Sequence, residues 1–181
     1  MQYKKTVLLK NGETCLIRNA TGADAKAVYE NFNLTHSQTD FLLSYPDENS
    51  FDIEQERYFL IEKETSNNEI QLCAILNERI VGTAGIESIG KKDKVKHRAE
   101  LGISIEKNSW GYGIGRALVI ACIECAKQAG YLQLELNVVE ENARAIALYK
   151  SFGFSKYGYN PKGFRSRYTG WQGIVLMRME L

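Results

Sequence analysis

Residues 108–118 read NSWGYGIGRAL, in which Gly111, Gly113 and Gly115 alternate with Trp110, Tyr112 and Ile114 ahead of an apolar run. Glycine loses more backbone freedom on folding than any other residue and is poor in a helix interior, so three at the start of a helix need a reason. Close approach of an anion is one. The first N–H groups of a helix lack intrahelical partners and carry the positive end of the helix dipole. Glycines let a bulky anion reach them, and the default ligand is a phosphate or a diphosphate.

Three phosphate-binding patterns compete for this stretch. A Walker A loop requires Gly-Lys-Ser/Thr, but Gly115 is followed by Arg116 and Ala117. A dinucleotide fingerprint requires G-x-G-x-x-G. Gly111 and Gly113 fit it, but Arg116 holds the last position, and the stretch lies late in the chain. The acyl-CoA diphosphate loop has the form Q/R-x-x-G-x-G/A. Residues 110–115 match it everywhere except the first position, where Trp110 stands.

A second motif lies downstream. Asn142-Ala-Arg-Ala-Ile-Ala-Leu148-Tyr149-Lys-Ser-Phe-Gly153-Phe154 resembles the N-x-x-A-x-x-L-Y-x-x-x-G-F signature of the GNAT superfamily of N-acetyltransferases. Ala99-Glu100-Leu101, ahead of the glycines, is similar to the start of that family's fourth strand. The similarity is strong over residues 70–160 and compatible in element order over the N-terminal third.

The resemblance implies acetyl transfer from acetyl-CoA to a primary amine by direct attack. It places the cofactor between the fourth and fifth strands, with Ile103, Ser104 and Ile105 along the pantetheine and Gly102 allowing close approach. Trp110, Gly111, Tyr112, Gly113, Ile114, Gly115 and Arg116 form the diphosphate loop, held chiefly through its amides. Asn137, Asn142 and Tyr149 complete the cofactor set. Tyr149 is the candidate acid for the departing thiolate, and Glu100 the candidate base. Glu87 or a water is the rival base, and a main-chain N–H near Ile103 is the oxyanion donor. The alternative reading is a non-catalytic acyl-CoA-binding regulatory or interaction protein.

These residues need a scaffold to hold them. Thr6–Leu9 and Cys15–Ile17 flank Asn11-Gly12, a hairpin signal. Thr21 or Asp24 can cap a helix running to about Asn33. A second helix covers Ile53 to about Lys63. Ile70–Leu76 and Arg79–Ile89 read as a hairpin, and Ala99–Ile105 as a further strand. The glycine-initiated helix runs to about Gly130. Gln133–Val139 alternates, with Leu134, Leu136 and Val138 on one face. Asn142 caps a helix with a stripe of Ala145, Leu148, Tyr149 and Phe152, and two strands follow. The fold class is α/β (α+β). It has a mixed, mostly antiparallel central sheet of about six or seven strands, flanked by four helices and splayed between the fourth and fifth strands. Residues 1–181 form one domain.

Composition narrows the partners. Hydrophobic residues are 44% and charged residues 25% of the 181, ordinary for a globular chain. The net charge of +1 gives no bulk attraction to nucleic acid or to anionic membrane. The basic run from Lys91 to Arg98 reads as a solvated loop, since no stacking motif accompanies it. Cys122 and Cys125 form a C-x-x-C within an apolar helical stretch, with no second pair and no histidine to complete a zinc site. Free thiols fit a reducing cytoplasm, and the N-terminus carries no signal-like apolar stretch. No metal is expected, His36 and His97 read as surface or loop residues, and a homodimer is compatible with the family.

The acceptor end, by the same resemblance, is built from the first two helices, their connection and the last hairpin. There Phe41, Leu42, Tyr45, Asp47, Glu48 and nearby carboxylates suit a cationic amine. Arg165 and Arg167 suit an anion instead. These readings oppose each other, and they leave polyamine, amino-acid derivative, aminoglycoside and protein N-terminus all open.

Overall fold

The computed structural model describes residues 1–181. Its sheet begins with two hairpins. Strands β1 (Lys4–Leu8) and β2 (Thr14–Asn19) pair antiparallel, and Gly12 in their turn sits at φ +85°, where a side chain would be strained. Strands β3 (Ile70–Leu76) and β4 (Arg79–Ser88) close through Asn77 and Glu78, at φ 49° and 62°. A two-residue turn with both residues left-handed matches the twist of a hairpin.

Strand β5 (Arg98–Ile105) pairs antiparallel with β4, and the order across the sheet is β1-β2-β3-β4-β5-β6-β8-β7. Strand β6 (Gln133–Val139) pairs with β8 (Gly170–Glu180), which pairs in turn with β7 (Ser155–Ser166). The sheet has eight strands, more than the six or seven expected. Both terminal hairpins join in full: β1 pairs with β2 over five residues, and both long strands of the last hairpin are in the sheet.

Helix α1 (Ala25–Gln38) and helix α2 (Ile53–Thr65) cover one face, and α3 (Ile114–Gln128) and α4 (Ala143–Ser151) cover the other. Alternation along β3 separates the faces, as a strand's period of two requires. Leu72 and Ala74 join the large core with Leu118, Cys122, Leu134 and Met177, whereas Cys73 joins Val28, Leu60 and Ile80 in a smaller one. Fully burying each of the larger aliphatic side chains contributes about 1.5–3 kcal/mol. All four cysteines are buried and free.

Helix α1 runs past Asn33 to Gln38 although residues 35–38 are polar. Thr35 is buried and its hydroxyl donates to the Phe32 carbonyl at 3.0 Å. His36 stacks on Phe32 with ring centroids 3.7 Å apart, so it is a half-buried helix residue, and desolvation lowers its pKa. His97 lies in the loop before β5 and accepts from Leu132 N–H through its carbonyl.

The feature that positions the site is a short parallel seam. Strands β5 and β6 pair only at Arg98↔Gln133, Ala99↔Leu134 and Glu100↔Glu135. Beyond Glu100 they part, and the rest of β5 presents an unpaired edge. In chain order this splay lies between the fifth and sixth strands, because eight strands are present. Unpaired main-chain groups inside a fold need other partners.

Candidate active site

The edge freed by the splay lines a cavity of about 500 Å³. Ile103, Ser104 and Ile105 form one wall. Ser109, Trp110, Gly111, Gly113, Gly115 and Arg116 form the end, and Asn142, Arg144, Ala145, Leu148 and Tyr149 from α4 form the opposite side. Thr39, Phe41 and Leu42, from the segment after α1, and Lys10, from the β1–β2 turn, complete it.

The three glycines serve different ends. Gly111 and Gly113 sit at φ +93° and +104°, in the left-handed region that disfavours a side chain, and Gly113 is the N-cap of α3. Gly115 has an ordinary φ. A methyl there would lie 3.3 Å from Ile105 Cδ1 and 3.4 Å from Leu148 Cδ2, so it is small for packing. Of the other predicted loop residues, Tyr112 projects toward solvent and Ile114 is buried in the core. Neither side chain lines the cavity. The Tyr112 carbonyl accepts from Lys10 N–H at 2.9 Å, which ties the first hairpin to the loop. Trp110 donates its indole N–H to the Ile105 carbonyl at 2.7 Å.

Asn142 is at the start of α4 for a local reason. Its side-chain oxygen accepts from Ala145 N–H at 3.2 Å, the usual N-cap bond. Its amide NH₂ has no protein partner. About two helical turns later, Tyr149 packs against Phe154 with rings 5.8 Å apart and is 6% exposed. Burial, with the nearby Cys122 as a smaller cause, pushes its phenol well above the ordinary value, so it holds its proton.

Glu100 and Asn137 do not line this cavity; Glu100 shares its strand face with Ser104, which does. The Asn137 amide donates to Glu100 at 3.0 Å. Glu100 is the middle of three carboxylates across adjacent strands, between Glu87 and Glu135. The outer two have cations. Glu87 lies 2.9 Å from Lys63, and Glu135 accepts from Arg98 at 2.8 Å and from the Tyr157 hydroxyl at 3.0 Å. Glu100 has none. Partial desolvation, then the charges of Glu135 and Glu87, raise its pKa, and the Asn137 bond offsets part of that rise.

Residues 27–154, which include the splayed strand, the glycine loop and α4, match the model of the Acetyltransferase (GNAT) family. The chain belongs to that family. A GNAT-family acetyltransferase from Streptococcus pneumoniae superposes with a TM-score of 0.88, at 30% identity, over 92% of this chain and 99% of that one. YncA of Salmonella typhimurium, solved with acetyl-CoA, shares the fold with a TM-score of 0.80 at 21% identity, over 91% and 92% of the two chains. The L-amino acid N-acetyltransferase AaaT of Escherichia coli is 31% identical over 93 residues, 51% of this chain and 57% of that protein. The chain spans about half the length of the curated relatives it matches.

Around this GNAT core, the α1–α2 connection and the last hairpin meet, and their polar groups engage one another. Asp40 accepts from the Ser166 hydroxyl at 2.6 Å, and from Thr169 and Tyr45 hydroxyls at 3.1 Å each. Phe41 and Leu42 follow Asp40 into the cavity wall. Lys10, Thr39, Asp40, Ser109 and Arg144 carried no signal in the sequence reading. Lys10 meets its loop partner across about a hundred residues, and no local pattern encodes such a pairing. Arg144 does lie inside the quoted α4 motif, at a position the motif leaves unspecified. No helix is long and apolar enough to cross a membrane, and no group of three His, Cys, Asp or Glu side chains is placed to hold a metal ion.

Proposed function

We propose that the protein is an acetyl-CoA-dependent N-acetyltransferase whose acceptor is a primary amine. One observation carries this reading: the unpaired edge of β5, the left-handed glycine loop and the buried Tyr149 meet in one cavity. The residues fit the cofactor. The strand edge offers main-chain groups to pantetheine amides. The loop amides and three cations of the wall, Lys10, Arg116 and Arg144, suit phosphates, and none of those cations is paired with a carboxylate.

The bound thioester supplies an activated acetyl carbon and a sulfur leaving group. The chain supplies the proton chemistry. An alkyl ammonium has a pKa of about 10, so the acceptor must lose a proton before attack. Glu100, the one carboxylate of its row without a cation, takes that proton, directly or through water. A main-chain N–H on the freed edge near Ile103 donates to the oxyanion. Tyr149, kept protonated by burial, gives its proton to the departing sulfur. The cysteines are buried and none lines the cavity, which favours direct transfer over an acyl-cysteine route.

The test is free-thiol release from acetyl-CoA with a panel of amino acids, polyamines and peptides, beside calorimetric titration with acetyl-CoA. Binding together with amine-dependent thiol release is the expected result. Binding without turnover on any amine would favour a CoA-binding regulatory protein, and absence of binding would reject the reading.

A further inference from the structure

Trp110 stands where the loop pattern has Gln or Arg, so the loop's first position brings no charge or amide to the phosphates. Its indole N–H is committed to the Ile105 carbonyl, the last residue of β5, and pins the junction between strand and loop. The guanidinium of Arg144 lies over the indole ring, 5.6 Å from its centroid. Arg144 also comes within 3.4 Å of the point where a Gly111 Cβ would stand. Both side chains line the cavity.

The placement of Arg144 is unfavourable by itself. It occupies the second residue of α4, just after the Asn142 cap, and the first turn of that helix has no acidic residue. A cation at a helix N-terminus opposes the helix dipole. Arg144 meets no carboxylate and lies over the ring of Trp110. An anion in the cavity would satisfy both the guanidinium and the helix end. Arginine's planar fork can stack on an aromatic face while its N–H groups bind phosphate oxygens in pairs.

We propose that Arg144, seated on the Trp110 ring, is a side-chain cation that binds the cofactor diphosphate, supplying from α4 the charge that the loop's own first position lacks. Trp110 is its positioning residue. The proposal takes its ligand from the acetyl-CoA reading above.

Binding of CoA, without turnover, tests it by calorimetry, with pantetheine as the probe that lacks phosphates. Arg144→Ala is expected to weaken CoA about 10-fold or more, the range for a hydrogen bond to a charged group, and to leave pantetheine unchanged. Arg144→Lys should recover part of the loss. Trp110→Phe, which keeps a ring face, should stay closer to wild type than Trp110→Leu. Adding Trp110→Leu to Arg144→Ala should cost little more, because the two act as a unit. If pantetheine binds too weakly to fit, the salt dependence of CoA affinity gives the same split. A lost phosphate contact flattens it, and general damage to the fold does not. Equal weakening of both ligands, an unchanged salt dependence, or a CoA affinity within about 2-fold of wild type in Arg144→Ala would overturn the proposal. Failure of the wild-type protein to bind CoA would instead remove the acetyl-CoA reading on which it rests.

Discussion

In the turn between β7 and β8, Arg167 Nη1 lies 2.8 Å from both carboxylate oxygens of Asp47, which belongs to the connection between α1 and α2. Its other nitrogen reaches Glu48 at 3.1 Å, and the guanidinium lies 4.2 Å from the Tyr45 ring centroid. Arg167 and these two carboxylates therefore neutralise one another, whereas Arg165 has no carboxylate partner and lies over the Trp171 ring. The Arg167 contacts bridge the α1–α2 connection and the β7–β8 turn. Exposed pairs of this kind add little to global stability, so the bridge acts locally. Arg167→Ala is expected to raise the acceptor KM several-fold while the acetyl-CoA KM and the thermal midpoint barely move. Steady-state kinetics with each substrate varied in turn will show this, and a parallel rise in both KM values would count against it.

Tyr149→Phe keeps the aromatic packing on Phe154 and removes the proton. Loss of a positioned acid lowers kcat by about 10²–10⁴-fold. Cofactor affinity should stay within about 2-fold, because the phenol acts on the leaving sulfur. Single-turnover rates isolate the chemical step, and an unchanged rate would remove Tyr149 from the mechanism.

Glu100 must be ionised to accept a proton, so activity rises with pH through its pKa. Because desolvation and its carboxylate neighbours raise that pKa, the acidic limb of kcat/KM should lie above the ordinary glutamate value of about 4.3. Glu100→Gln should abolish the limb. Glu87→Gln should keep it, since Glu87 serves Lys63. A Glu100→Gln enzyme with an intact acidic limb would be inconsistent with the assignment.

Glu106, at the end of β5, is buried and accepts from Arg79 at 2.6 Å and from the Ser109 hydroxyl at 2.8 Å. Desolvation alone would raise its pKa, but these two donors outweigh it and hold the value below the usual range. A carboxylate with a lowered folded-state pKa stabilises the protein above its unfolded value, and that contribution is lost as pH falls through the folded value. Glu106→Gln should therefore lose about 1–3 kcal/mol at neutral pH, less than a fully buried pair because Arg79 is largely exposed. That corresponds to roughly 2–4 °C per kcal/mol in a chain of this size. The gap between mutant and wild type should close in acid. Thermal midpoints of both proteins across pH will decide it, and a gap that persists unchanged in acid would falsify the linkage.

Much of the site was legible because its patterns are local. The glycine spacing marked the loop. The alternation of Leu134, Leu136 and Val138 marked β6, and the 3.6-residue stripe through Tyr149 marked α4. Other features were not legible, because burial in the fold overrode local polarity. Helix α1 continues through a polar run because Thr35 is buried and His36 stacks on Phe32. The separate reasons for the three glycines appeared only with their dihedrals and neighbours.

The sequence by itself determined the element order, the glycine loop and the capped α4 helix. Each of these is written in neighbouring residues through backbone preference and periodicity. Tertiary structure alone decided which carboxylate lacks a cation, how far β5 and β6 stay paired, and where Lys10, Arg144 and Arg167 find their neighbours. Those outcomes depend on strand register and on contacts between residues far apart in the chain. No local pattern of residue types encodes them.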